Sequence, residues 1–265
     1  MMKMKIRPYG MLLSLLFMLQ LFLCPLRASY CGGWYILKND THTPPPLDSY
    51  LSYVTDYGGY YLDTHAKEND RVIYLTFDAG YENGNIEKIL DVMKKHDAHG
   101  AFFVLSHLIE ANTSLVKRMG DEGHLICNHT MSHKDMTAVD EATFCAELRG
   151  LETLLKEKTG VEMAPYYRPP EGKFDEASLL RAQDLGYKTI FWSYAYADWD
   201  NEKQPDAAAA KEKLLLHTHN GMVLLLHPTS STNAAILDDL LTAWEREGYR
   251  FGTLDELTQK DGAKA

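Results

Sequence analysis

Seven short β-rich runs separated by amphipathic segments constrain this chain more than any other feature of its sequence. The runs fall at 72–77, 101–105, 124–127, 166–168, 189–192, 222–226 and 250–252. After the first, Ile86, Ile89, Leu90 and Met93 recur at i, i+3, i+4 and i+7, the spacing that lines one face of a helix. Further helices are predicted over 114–122, 140–159, 175–185, 207–217 and 233–247, with Gly160 and Gly186 closing two of them. Strands that alternate with helices pair in parallel, because each helix carries the chain back to the end where the previous strand began. About seven such units predict an α/β fold in the form of a distorted, incomplete (β/α) barrel with about seven parallel strands; a doubly wound sheet is the alternative.

The placement of reactive side chains favours the barrel. Asp78 follows the first run, His129 the third, Arg168 the fourth and His227 the sixth, while Asp198 lies past the fifth. In a barrel these strand ends share one rim, where the βα loops build an active site.

Outside this repeat the chain divides further. Lys3, Lys5 and Arg7 precede an apolar run from Met11 to Cys24, and Leu26-Arg27-Ala28 offers a cleavage site, so 1–28 reads as a secretory signal. The run is interrupted by Gln20 and falls short of the roughly 20 residues a bilayer span needs. An uncleaved signal acting as a membrane anchor is the alternative. Residues 29–59, with Trp34, Tyr35 and Pro44-Pro45-Pro46, read as an extended lead, 60–258 as the main domain and 259–265 as a polar tail. Cleavage would leave Cys31, Cys127 and Cys145, an odd number without C-x-x-C spacing, which indicates neither a disulfide framework nor a thiolate zinc site. The net charge of -10 excludes tight binding to nucleic acid or an anionic membrane surface, since nothing would neutralise the phosphates.

Four local patterns carry chemistry. In Asn128-His129-Thr130-Met131-Ser132-His133, two histidines at i and i+4 can point the same way over a helical turn and grip one metal ion, although such a pair alone is weak. Thr76-Phe77-Asp78-Ala79-Gly80 sets a carboxylate at the end of an apolar run, too far upstream to cap the helix starting near Asn85. Arg168-Pro169-Pro170-Glu171-Gly172 fixes a guanidinium beside two ring-locked residues, a rigid place from which to hold a carboxylate. Asp198-Trp199 and Leu226-His227-Pro228 add an acid, an indole and an imidazole at two further strand ends.

In order and residue type these motifs resemble the polysaccharide deacetylase family over roughly 60–257. The likeness is closer to its bacterial delta-lactam-biosynthetic de-N-acetylases, through Tyr60-Tyr61-Leu62, Tyr81-Glu82-Asn83-Gly84, Arg168-Pro169-Pro170 and Phe191-Trp192-Ser193 with Asp198-Trp199. The resemblance implies a metal-dependent hydrolase that removes N-acetyl groups from N-acetylmuramic acid in peptidoglycan strands, for muramic delta-lactam in spore cortex. It would be secreted or associated with the cell wall, the forespore intermembrane space included. Asp78 would be the general base, His227 the general acid, Arg168 the partner of Asp78 and Asp198 the partner of His227. His129 and His133 would hold a divalent metal, zinc by preference, and Tyr81, Glu82, Pro170 and Trp199 would contact substrate. A deacetylase of N-acetylglucosamine, chitin or xylan, or a sugar-binding homologue that has lost catalysis, are the competing readings.

One departure stands out. The wider family follows its base with a second aspartate that ligates the metal, and here that position is Ala79, whose methyl coordinates nothing. The delta-lactam subgroup also lacks that aspartate. A weakened site completed by water, by substrate or by Glu82 is therefore expected, because catalytic zinc commonly keeps an open position.

Overall fold

The computed structural model describes residues 32–259, so the predicted signal segment and the tail beyond Gln259 lie outside the described residues. Along the chain follow β1 (Gly32–Gly33), a 3-10 helix (Ser49–Tyr57), β2 (Gly59–Tyr60), β3 (Arg71–Ala79), α1 (Ile86–Lys95), β4 (Ala101–Val104), α2 (Ser106–Ala111), α3 (Thr113–Asp121) and β5 (Leu125–Asn128). Next come α4 (Glu141–Thr159), β6 (Tyr166–Tyr167), β7 (Lys173–Phe174), α5 (Glu176–Asp184), β8 (Lys188–Ile190) and β9 (Tyr194–Ala195). The last elements are α6 (Ala207–Leu216), β10 (Met222–Leu226), α7 (Ser231–Arg246), β11 (Tyr249–Phe251) and α8 (Leu254–Gln259).

All seven expected runs form strands of one sheet, ordered β2-β8-β6-β5-β4-β3-β10-β9, with β11 beside the start of β3 and every neighbouring pair parallel. The sheet curls into an incomplete barrel, as the alternation predicts. The period of two along β3 shows how both faces are filled. Val72 and Tyr74 join Ala101, Phe103, Cys127, Tyr166, Ile190 and Val223, from five other strands, in an inner cluster. Ile73, Leu75 and Phe77 face outward into a second cluster built with Ile89 and Leu90 of α1, Val116 of α3, Leu151 of α4 and Leu240 of α7. A strand buried on both faces has no polar side to alternate, which is why these runs read as continuously apolar.

Local chemistry sets the helix ends. Asp140 accepts from the Thr143 amide at the start of α4, and Gly160 closes that helix at φ 76°. Asp175 and Ser178 form a reciprocal capping box at α5. The helix expected over 114–122 is α3, and α2 is an additional short helix before it, the two separated by Asn112 with φ -133° and ψ 44°.

The lead is not extended chain. Residues 49–57 are helical, and Leu51, Val54 and Trp34 are buried with Phe174, Leu179 and Phe191. Trp34 stacks on Phe191 at 4.5 Å and donates from Nε1 to the Trp192 carbonyl at 2.8 Å. What packs is the helix and Trp34, whose apolar and aromatic surface leaves water, while Pro44 and Pro46 of the proline run stay exposed. Where the lead meets the main domain the chain links the two sides of the open sheet: β2 pairs with β8, Leu62 bridges Met222, and the Asp63 amide donates to the Gly221 carbonyl at 2.9 Å. Among the described residues no helix is long and apolar enough to cross a membrane, and Cys127 and Cys145 are free thiols.

Candidate active site

Asp78 occupies the last turn of the pleat in β3, on the face shared with Thr76, and Arg168 follows β6 two strands beyond β4. Arg168 is wholly buried, and each of its nitrogens has an acceptor. Nη1 donates to Asp78 Oδ1 at 2.8 Å, Nη2 to Thr76 Oγ1 at 2.8 Å and Nε to the Ile190 carbonyl at 3.0 Å. Its guanidinium lies 4.1 Å over the Phe103 ring. Burial opposes ionisation of Asp78, but the Arg168 charge beside it overcomes that and holds the carboxyl below its ordinary range. Asp78 Oδ2 is left to face His129, whose Nε2 is 3.6 Å away.

His129 is fixed by its other nitrogen, since Nδ1 lies 2.8 Å from the Arg168 carbonyl and must donate to it, leaving Nε2 as an acceptor toward the cleft. Burial drives its pKa down to about 4, so the ring is neutral and able to ligate near pH 7. His133 faces it with ring centroids 5.0 Å apart. The two are not on a helix as the spacing suggested. Residues 129–133 form a loop in which Thr130 and His133 take φ of 74° and 56°, reversals that no helix contains.

Two imidazoles bound tetrahedrally to one ion at ~2.1 Å have centroids about 5 Å apart, so this pair fits a divalent cation. A third protein ligand does not join them. No group of three His, Cys, Asp or Glu side chains poised for a metal occurs among the described residues. Ala79 is buried in the outward, helix-side cluster. Glu82, expected as a substrate contact or a spare ligand, caps α1 instead, accepting from the Gly84 amide and from the Ile86 amide at 3.1 Å. Those amides begin a helix and lack partners of their own, which makes them strong competitors for a nearby carboxylate.

Across the cleft, His227 follows β10 and is held by Asp198. Asp198 Oδ1 accepts from His227 Nδ1 at 2.7 Å, and Oδ2 accepts from the His227 amide at 2.8 Å and from Asn233 Nδ2 at 2.6 Å. Burial lowers the basicity of His227, but the Asp198 carboxylate more than offsets this, and its pKa lies above the ordinary 6.5. Asn233 also donates to the His227 carbonyl and accepts from Tyr196 Oη, while Gln204 Nε2 donates to the Asp198 carbonyl at 2.9 Å. Sequence reasoning missed both amides, because a lone Asn or Gln carries no motif.

These groups line a cleft of about 580 Å³. Asp78, His129, His133 and His227 reach it together, and Tyr81, Trp192, Tyr196 and Trp199 supply aromatic walls. Tyr81 and Trp199 are exposed, and Asn201 hydrogen-bonds Tyr81 Oη from the loop that carries Trp199. Pro170, expected to touch substrate, is buried and absent from the lining, and its neighbours Glu171 and Gly172 stand there instead. Glu171 was not anticipated. Its φ of 55° is rare for a residue with a side chain, and turns the chain so that the carboxylate lies at the rim beside Lys173.

Comparison with known proteins agrees with this geometry. Residues 65–190 match the polysaccharide deacetylase family. The chain is 39% identical over 226 residues to the peptidoglycan-N-acetylmuramic acid deacetylase PdaA of Bacillus subtilis, covering 85% of each protein. The solved structure of Bacillus subtilis PdaA, a family 4 carbohydrate esterase, superposes with a TM-score of 0.83 at 37% identity over 87% of this chain and 98% of that one. A peptidoglycan-N-acetylglucosamine deacetylase, PgdA of Listeria monocytogenes, is 32% identical over 192 residues, which are 72% of this chain and 40% of that protein.

Proposed function

This chain belongs to the polysaccharide deacetylase family, and from that premise we propose that it hydrolyses the N-acetyl group of N-acetylmuramic acid in peptidoglycan, outside the cytoplasm, in preparation for muramic delta-lactam. The observation that carries the reading is the pair of oppositely tuned groups facing one cleft: Asp78, whose ionised form Arg168 favours, and His227, whose protonated form Asp198 favours. Amide hydrolysis needs both a base and an acid at once.

Asp78 Oδ2, the oxygen not engaged by Arg168, takes a proton from water as the water oxygen attacks the acetyl carbonyl. His227 Nε2 then gives its proton to the sugar nitrogen as the C–N bond breaks, releasing acetate and a free amine. With Nδ1 donated to Asp198, the proton on Nε2 is the one aimed at substrate. His129 and His133 would hold a divalent ion, zinc by donor type, which polarises the acetyl carbonyl and acidifies water when bound. The aromatic walls offer apolar faces against which a pyranose ring stacks.

The test is acetate release from purified muropeptides and from chitin oligomers, with mass spectrometry of the glycan product. Loss of acetyl from muramic acid supports the proposal. Release from N-acetylglucosamine alone would move the chain to the other branch of substrates, and no release from either would leave a sugar-binding role.

A further inference from the structure

The loop that carries both metal-facing histidines is strained. Two of its residues, Thr130 and His133, sit in the left-handed region, where a residue with a side chain is strained by about 1–2 kcal/mol. His133 is exposed and touches the ring of His129 edge to face, and the described contacts of its own backbone amount to one bond, from its amide to Thr130 Oγ1 at 2.9 Å. A strained loop that presents a ligand needs an anchor from a rigid element.

That anchor comes from the middle of α4. Glu147 is nearly fully buried although charged, and its carboxylate points along the helix–loop boundary at Ser132, the residue directly before His133. Oε2 accepts from the Ser132 amide at 2.9 Å and Oε1 from Ser132 Oγ at 2.7 Å, a two-point grip on one residue. Lys134, on the far side of His133, closes the clamp with Nζ 2.8 Å from Oε1. His133 is thereby bracketed by two residues bound to one carboxylate. On the other flank Ser106 Oγ donates to the Met131 carbonyl at 2.7 Å.

We propose that Glu147 is a positioning residue for the metal site, holding Ser132 and Lys134 so that His133 faces His129 before any ion arrives. The proposal rests on the two-histidine metal reading given above. A ligand held in place in advance loses little freedom when it binds, so the anchor acts on affinity and not only on folding. A carboxylate is suited to this task, because it accepts from an amide, a hydroxyl and an ammonium at once.

The test is calorimetric titration of Zn²⁺ into the metal-free full chain and its variants, each checked for native fold by circular dichroism. Glu147→Ala is expected to weaken zinc binding about 10–100-fold, as loss of a supporting partner behind a metal ligand typically does. Glu147→Gln, which keeps an acceptor oxygen, should retain more affinity than Glu147→Ala, and Ser132→Ala should fall between Glu147→Gln and the parent. A structural role alone would lower the melting temperature and leave the dissociation constant of the folded protein where it was; that result overturns the proposal. Should Glu147→Ala not fold, equal zinc affinities of parent, Glu147→Gln and Ser132→Ala overturn it equally. A parent protein that takes up no zinc would remove the metal reading itself, an outcome distinct from equal affinities.

Discussion

Asp198 holds His227 at two points, the ring through Oδ1 at 2.7 Å and the backbone amide through Oδ2 at 2.8 Å. The first contact sets the charge of the imidazole and the second sets its position. Removing the carboxylate's charge should therefore separate the two effects.

Asp198→Asn is expected to lower kcat more than it raises KM and to move the high-pH limb of kcat/KM toward acid. The sign follows from His227, whose pKa is raised above 6.5 by Asp198: the acid form is present below that pKa and is lost as pH rises through it. Without the carboxylate, burial and the Arg168 charge are opposed only by the more distant Asp78, and the proton leaves at lower pH. A pH profile that coincides with the parent's would show that His227 is not the proton donor, and His227→Ala should then also spare kcat.

Asp78→Asn should cost about 10²-fold or more in turnover, since an amide accepts no proton from water. The fold should survive, because Arg168 keeps Thr76 Oγ1 and the Ile190 carbonyl as acceptors. Acetate release and circular dichroism on the same sample check both halves.

Dialysis against a chelator should abolish activity readily, and added divalent ion should restore it, because two imidazoles hold an ion less firmly than three protein ligands. Activity indifferent to chelation would take the metal out of the reaction. Ala79→Asp would place a carboxylate in the helix-side apolar cluster and is expected to lower the melting temperature of the metal-free protein, as a thermal scan would reveal.

Gly221→Ala is expected to destabilise the protein by about 2–5 kcal/mol, the sum of a left-handed backbone and an overpacked contact. Its φ is 77°, and an added Cβ would lie 2.4 Å from the Asp63 carbonyl oxygen. Urea unfolding midpoints of the two proteins measure the difference.

The strands and the rim were legible because both rest on short-range rules: apolar runs of strand length, and reactive residues at their ends. Asp78, His129, Arg168, Asp198 and His227 stand where that logic puts them. Glu82 was misread because a carboxylate near an active-site motif and a carboxylate capping a helix look alike until the Ile86 amide is seen beside it. The His129–His133 spacing suggested a helical turn for the same reason, as i,i+4 is compatible with a loop whenever φ reverses. The packed lead, Glu147, Gln204 and Asn233 were not legible at all. Each acts on residues far away in sequence, and nothing local to Trp34 or Asn233 announces its partner.

The contacts of residues 59–63 bear on the order of events in folding. Residues 59–63 leave the ribosome early, yet they bond to Thr189, Ile190, Gly221 and Met222, which are made long afterwards. Until Thr189 and Ile190 emerge, β2 has no strand to pair with and the half-built sheet keeps a free edge. Contacts between segments so far apart in sequence are slow to form, because a long loop must close first. The sheet edge that β2 covers therefore stays open until most of the chain has been made.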